Sequence, residues 1–130
     1  MTEEERLLRE AITAYVAEHD YVTFAALHKE FAGDAKDGTE ISLPGNRIIW
    51  LGLPKPIIDA VLGLLAEGEL SAIPGHVAAY RRDGRVLPLP VEKAPPKSAH
   101  REPKWFPVLL RTMAAVRAEA PEPGASGESD

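Results

Sequence analysis

The chain of 130 residues contains no cysteine, and this absence excludes two kinds of stabilising site. Disulfide bonds are impossible, and so are zinc sites built on cysteine thiolates. Glutamine is also absent, and Asn46 is the only asparagine, while there are twelve prolines. Few thermolabile amides and many prolines are typical of a heat-adapted, thermophile-like composition, and a GC-rich genome would give much of the same bias.

Long apolar stretches are missing as well. No run approaches the roughly 20 apolar residues that cross a bilayer, so we expect no membrane partner. Thr2 is followed by three glutamates, whereas a secretory signal begins with basic residues. We therefore expect a cytoplasmic protein, with one domain and a tail, because a chain of this length does not supply two full cores.

The sequence also lacks the motifs of catalysis and cofactor binding. Its four histidines have no i, i+4 spacing that would place two metal ligands on one helix. No serine has an evident histidine and acid partner. The sequence also has no glycine-rich loop of the kind that binds nucleotides. We expect a protein that is not an enzyme and has no metal and no cofactor. The histidines are His19, His28, His76 and His100.

Positive charge is scarce overall but concentrated in one block. The formal net charge is −5, with −7 in residues 1–75, +5 in residues 76–111 and −3 in residues 112–130. A basic block inside an acidic chain can form one positive face, which matters more for phosphate binding than the total charge.

Two helices are predicted in the first 33 residues. Thr2 and Glu5 have the spacing of a capping box, and Thr23 is a plausible cap for the second helix, which Gly33 ends. Both segments carry apolar residues at helical spacing. These are Leu8, Ile12, Tyr15 and Val16 in the first helix, and Phe24, Leu27 and Phe31 in the second.

The next segment, Gly33 to Leu53, predicts a loop and two short strands, Thr39–Leu43 and Asn46–Leu51, around a Pro-Gly turn. Trp50 lies among apolar residues there, which favours core packing over partner contact. A third helix is predicted from Pro54 to Gly68, with strands following at about 70–73, 77–82 and 85–90.

The last two strands are predicted to form a hairpin, because Asp83-Gly84 suits a two-residue turn. Its tip would carry Arg81, Arg82 and Arg85. Arginines on a narrow projection can enter a minor groove or bind phosphates. The alternative is that these charges only keep an edge hairpin soluble.

Residues 93–104 form a predicted basic, proline-rich connector. A helix starting near Pro107 is predicted within residues 105–119, and residues 120–130 form an acidic tail expected to be disordered. The aromatic pair at 105 and 106 could pack back on the domain or form a homodimer interface, and we favour self-association. The candidate interface residues are Trp105, Phe106, Leu109 and Met113.

The order of helix, short helix, longer helix and strand-plus-hairpin resembles the winged helix-turn-helix superfamily over residues 5–90. The resemblance implies an α+β fold, with a winged-helix domain over residues 1–92. The insertion at 33–53 departs from the usual short turn between the second and third helices. The residues that carry the resemblance are Leu8, Ile12, Tyr15, Val16, Thr23, Phe24, Leu27, Ile58, Val61, Leu62, Leu65, Gly68, Glu69 and Leu70.

The resemblance implies a non-enzymatic protein that binds double-stranded DNA through the basic wing, in transcriptional control or DNA maintenance. The third helix is poorly equipped to read bases, because Lys55 is its only good donor. The alternative is a protein-protein adaptor that does not bind DNA, favoured by the acidic N-terminal half. The expected DNA contacts are Arg81, Arg82, Arg85, Lys93, Lys97, Arg101, Lys104 and Lys55.

Overall fold

The chain has an α+β fold, as predicted. A computed structural model describes residues 1–35, 38–92 and 101–119, and within them five helices and two three-stranded sheets are present. The predicted contacts Lys93 and Lys97 and the predicted acidic tail lie outside the described residues.

The three longest helices come first in the chain. They are α1 (Glu3–His19), α2 (Phe24–Ala32) and α3 (Lys55–Ala66). The predicted capping box of α1 is confirmed, because Glu5 N donates to Thr2 Oγ1 and Thr2 N donates to Glu5 Oε1. The cap of α2 is confirmed too, because Thr23 Oγ1 accepts from Ala26 N.

One antiparallel sheet packs against these helices. Its strand order is β1 (Val22–Thr23), β6 (Val108–Thr112), β4 (Leu70–Pro74), so the strand latest in the chain lies in the centre. Leu110 of β6 faces Val22 on one side and Ala72 on the other. Residues near both ends of the chain are therefore joined in one sheet.

The second sheet is built from the segment inserted between α2 and α3. Strands β2 (Thr39–Leu43) and β3 (Arg47–Leu53) form an antiparallel hairpin, and β5 (Lys104–Trp105) adds in parallel to β3. The two predicted strands of the insertion are confirmed. Trp50 is fully buried, which confirms the predicted core role.

The predicted hairpin of residues 77–90 is wrong. Residues Val77–Arg82 form a short helix, α4, and no strand is present at 85–90. The Tyr80 hydroxyl donates to Val108 O and accepts from Phe24 N, so the buried tyrosine joins α4 to β6 and α2. This distant packing outweighs the local turn preference of Asp83-Gly84.

The predicted helix from Pro107 is also wrong. Residues Val108–Thr112 form the central strand β6, and the helix that follows, α5, spans only Met113–Glu119. Both faces of this central strand are buried, so its sequence, Val-Leu-Leu-Arg-Thr, lacks the apolar-polar alternation that distinguishes a strand from a helix. Four of the five residues of β6 are buried.

The core contains a cluster of three aromatic side chains, from β3, α4 and β5. The rings of Trp50 and Tyr80 lie 5.4 Å apart, and those of Tyr80 and Trp105 lie 5.0 Å apart, measured between centroids. All three side chains are at most 1% exposed. In the described part of the chain, no helix has the length and apolar character required to span a membrane.

Candidate functional site

A polar pocket of about 370 Å³ opens where α1 ends, beside β1 and the C-terminal end of α4. It combines two tyrosine rings, a histidine, two carboxylates and an arginine. Its lining residues are Tyr15, His19, Asp20, Tyr21, Val22, Ala26, Arg82 and Asp83.

The backbone at the mouth of this pocket has an uncommon conformation. Asp20 has φ +51° and Tyr21 has φ +49°, although neither residue is glycine. Positive φ in a residue with a side chain costs energy and persists only where surrounding contacts hold it. Such residues occur preferentially at functional sites, which draws attention to this turn.

Arg111 of β6 holds the turn in place. Its guanidinium donates to both carboxylate oxygens of Asp20, at 2.9 Å each, and to Glu119 of α5 at 2.7 and 3.0 Å. The guanidinium also lies 4.2 Å from the centre of the Tyr21 ring. The hydrogen bonds from Arg111 lower the pKa of Asp20 below its usual value, so this carboxylate is ionised at neutral pH.

Helix α4 forms the opposite wall. Asp83, directly after α4, accepts a 2.6 Å hydrogen bond from Thr23 Oγ1, which connects this wall to the start of α2. Arg82 is 68% exposed at its side chain and lies 3.3 Å from the Asp83 carboxylate. Tyr80 anchors the same helix in the core, so the exposed guanidinium projects from a fixed support.

The floor of the pocket includes one turn of α1. The rings of Tyr15 and His19 are in contact, with centroids 4.3 Å apart, as expected for residues four apart on a helix. Partial burial raises the pKa of the Tyr15 phenol, and nearby carboxylates add to the effect. Tyr15 is therefore a neutral hydroxyl at physiological pH, whereas His19 is exposed to solvent.

The three predicted wing arginines are in different surroundings. Arg81 and Arg82 are exposed at the end of α4, and Arg82 lines the pocket. Arg85 turns inward, with its guanidinium 5.2 Å from the Trp50 ring and Nη1 3.2 and 3.3 Å from the two ring nitrogens of His28. The structure therefore does not place the three arginines on one projecting tip.

The other predicted DNA contacts are also dispersed. Lys55 pairs with Asp59 at 2.7 Å on α3, Lys104 lies in β5 of the second sheet, and Arg101 is exposed. These side chains therefore belong to different elements of the fold, and their contacts with DNA remain a prediction.

The predicted dimer residues are partly committed to the fold. Trp105 is buried, and its Nε1 donates to Ile49 O at 3.3 Å. Phe106 lies under the guanidinium of Arg47, at 4.5 Å. Leu109 and Met113 are half-buried. Self-association through these residues stays a prediction.

Of the residues that form the pocket, only Arg82 was singled out from the sequence as a candidate site residue. Their contacts span long separations along the chain, such as the one between Asp20 and Arg111, which no local pattern predicts. The one local feature is that no glycine follows α1, although the next two residues, Asp20 and Tyr21, have positive φ. Among the described residues, no group of three or more histidine, aspartate or glutamate side chains could hold a metal ion.

Comparison with known proteins gives one informative similarity. No protein-family model matches this chain. No solved structure matches it either. The chain is 33% identical over 103 residues to the 3′-5′ ssDNA/RNA exonuclease TatD of Cronobacter sakazakii. The match covers 78% of this chain but only 37% of that exonuclease.

This similarity corrects the predicted function. The predicted function was that of a non-enzymatic winged-helix protein that binds double-stranded DNA through a basic wing. A match to an exonuclease of single-stranded DNA and RNA conflicts with that prediction. The prediction was wrong because it depended on a hairpin that does not form.

Proposed function

We propose that this chain is a nuclease that acts on single-stranded DNA or RNA, and that the pocket at the end of α1 holds the terminal nucleotide. The observation that carries the proposal is the Asp20–Tyr21 turn, held in a strained conformation beside exposed histidine and arginine side chains. The similarity to a 3′-5′ exonuclease supports the same class of substrate.

The pocket suits a single strand better than a duplex. Tyr21 is 44% exposed, so its ring can stack on an unpaired base. Stacking on aromatic rings is tolerant of sequence and needs bases that are free of the double helix. The pocket beside this ring has a volume of about 370 Å³ and is open to solvent.

The charged groups of the pocket have separable roles. Arg82, which lines the pocket, supplies positive charge for a phosphate, and charge that develops during phosphodiester cleavage is stabilised by the same kind of donor. His19 is exposed at the rim, and imidazole is the side chain most often used as a general acid or base. Asp20 is occupied by Arg111 and serves to position the turn.

We further propose that the helical core is a winged-helix variant. Helices α1, α2 and α3 precede β4, as in the resemblance described above, but β4 pairs in antiparallel fashion with β6, which lies outside residues 5–90. The β2–β3 hairpin is then an insertion between the second and third helices. An experimental structure in which β4 and β6 do not pair would contradict this assignment.

The function is tested with the full chain and labelled oligonucleotides. Single-stranded DNA, single-stranded RNA and a duplex of the same sequence are compared in a binding assay and in a cleavage assay, with and without Mg²⁺. We expect single strands to bind more tightly than the duplex and to be shortened from the 3′ end. Arg82→Ala and Tyr21→Ala should each weaken binding about tenfold.

Two controls separate binding from chemistry. Arg6→Ala removes an exposed arginine of α1 that pairs with Glu3 and Glu10 outside the pocket, and it should leave binding unchanged. His19→Ala should slow cleavage more than it weakens binding. Equal affinity for duplex and single strand, or single strands that bind but stay intact, would contradict the proposal.

A further inference from the structure

The guanidinium of Arg111 has two of its edges occupied by carboxylates. The edge formed by Nε and Nη2 donates to Asp20, and the edge formed by Nη1 and Nη2 donates to Glu119. The group is planar and its donors form a rigid fork, so one such pair still leaves the plane free to tilt about the paired edge. The second pair, on the adjacent edge, removes that freedom. The orientation of the guanidinium therefore depends on both carboxylates.

One face of this plane lies against the Tyr21 ring, 4.2 Å from its centre. The oxygen of Asp20 that accepts from Arg111 Nε also accepts from Tyr21 N, at 2.9 Å. Both the ring and the backbone of Tyr21 are therefore held through Arg111. Tyr21 is nevertheless 44% exposed and lines the pocket, so its ring keeps surface that the guanidinium does not cover.

Glu119 reaches this arrangement from a helix that contributes no buried residue. The side chain of Glu119 is 61% exposed, and α5 is joined to the neighbouring sheet at its other end, where Met113 N donates to Glu69 O at 2.9 Å. The hydrogen bonds from Arg111 lower the pKa of Glu119 below its usual value, so this carboxylate is ionised at neutral pH. Glu119 can therefore be replaced without opening the core.

We propose that Glu119 is a positioning residue for single-strand binding at the pocket. It fixes the plane of the Arg111 guanidinium, which in turn fixes the Tyr21 ring with one face available to stack on an unpaired base. This inference rests on the proposed function. Glu119 acts through Arg111 and does not contact the strand, because a carboxylate repels phosphate.

The sign of a substitution effect distinguishes this role from simple electrostatics. Removing a negative charge beside a binding site for a polyanion strengthens binding, because like charges repel. Glu119→Gln keeps the size of the side chain and removes the charge that pairs with Arg111. We expect the opposite result, namely binding weakened about fourfold, because part of the stacking on Tyr21 is lost.

The test measures the affinity of the full chain for a labelled single-stranded oligonucleotide by fluorescence anisotropy. The matched control is Glu67→Gln, which breaks the 2.6 Å ion pair between Arg9 and Glu67 outside the pocket and should not weaken binding. A second oligonucleotide lacks its 3′-terminal base. The wild type should bind it more weakly than the intact strand, and Glu119→Gln should reduce that difference.

Two further measurements show whether the effect passes through Tyr21. In the absence of nucleic acid, the NMR signals of the Tyr21 ring protons should shift in Glu119→Gln and stay unchanged in Glu67→Gln. In a Tyr21→Ala background, Glu119→Gln should weaken binding little further, because the ring that it positions is gone. Thermal unfolding should show that each variant remains folded.

Three results would overturn the positioning role of Glu119. They are unchanged or tighter binding in Glu119→Gln, unchanged Tyr21 ring signals, and an equal loss of affinity with and without the Tyr21 ring. Failure of the proposed function has a different signature, since the wild type would then not bind the single strand and both proposals would fall. A wild type that binds, with a Glu119→Gln variant that binds equally well, overturns this inference alone.

Discussion

The two ends of helix α1 differ in how they are held: at the N-terminal end a groove of about 710 Å³ lies between the first turns of α1 and α3, and at the C-terminal end lies the polar pocket. At the N-terminus the helix begins with a relaxed capping box between Thr2 and Glu5, and the groove there depends on no unusual backbone. At the C-terminus the chain passes through positive φ at Asp20 and Tyr21, and Arg111 holds it. The first end is stabilised by neighbours in sequence, and the second by a residue 91 positions away.

The two sites should therefore respond differently to substitutions elsewhere in the protein. A local cap can be lost with little effect on the rest of the fold, because its bonds lie within three residues. The pocket instead needs β6 and α4 to be in place, since Arg111 and Tyr80 supply its supports. Damage to distant core residues should therefore alter the pocket and spare the groove.

The largest effect is expected from Tyr80→Phe. The substitution removes the hydroxyl that contacts Phe24 N and Val108 O, both in the buried core. Leaving buried backbone groups without partners costs roughly 1–3 kcal/mol, so the free energy of unfolding should fall by about 2 kcal/mol. Urea unfolding measures the change. Tyr15→Phe is the matched control and should shift stability by less than about 0.5 kcal/mol. Equal effects would refute the anchoring role of Tyr80.

A smaller and pH-dependent effect is expected from Asp20→Asn. Asparagine tolerates positive φ, so the turn geometry is retained while the charge is lost. The pKa of Asp20 is depressed in the folded state, so its ionised form adds stability above the unfolded pKa of about 3.9. That stability is lost as the pH falls through the folded-state value.

The measurement is a pair of unfolding curves for the wild type and Asp20→Asn. At about pH 6 the wild type should be more stable by up to about 1 kcal/mol, because the ion pair is partly exposed. The gap should narrow as the pH falls below about 3.9 and through the depressed pKa of Asp20 in the folded state. A gap that is independent of pH would show that the carboxylate charge does not hold the turn.

The smallest effect is expected at the other end of the helix. Thr2→Ala removes the side-chain half of the capping box, and the loss should be about 0.5 kcal/mol because this terminus is exposed. Single-strand binding at the pocket should be unchanged. If Thr2→Ala impaired the pocket as strongly as Tyr80→Phe does, the two ends of α1 would not be independent.

The sequence predicts the helical part of this fold well. Helical spacing and caps locate α1, α2 and α3, and the Pro-Gly turn locates β2 and β3, because these features depend on neighbouring residues. The same reasoning gives the wrong secondary structure for residues 77–90 and 105–112. Tyr80 is buried by partners 56 and 28 positions away, and β6 is a central strand without alternation.

The candidate site was less predictable than the fold. His19 and Asp20 mark the end of a helix in sequence, and nothing near them indicates Arg111 as a partner. Arg82 was identified as a functional candidate, but for a hairpin that does not exist. Its position beside Tyr21 depends on α4 packing through Tyr80.

The most direct test of the central claim is a photo-crosslink. A single-stranded oligonucleotide with a photoreactive 3′-terminal base is irradiated with the full chain, and mass spectrometry identifies the modified peptides. The account predicts adducts on the peptide containing Tyr15 and Tyr21 and on the peptide ending α4, with loss of both in Arg82→Ala. Adducts confined to the α1–α3 groove or to residues 93–104 would contradict it.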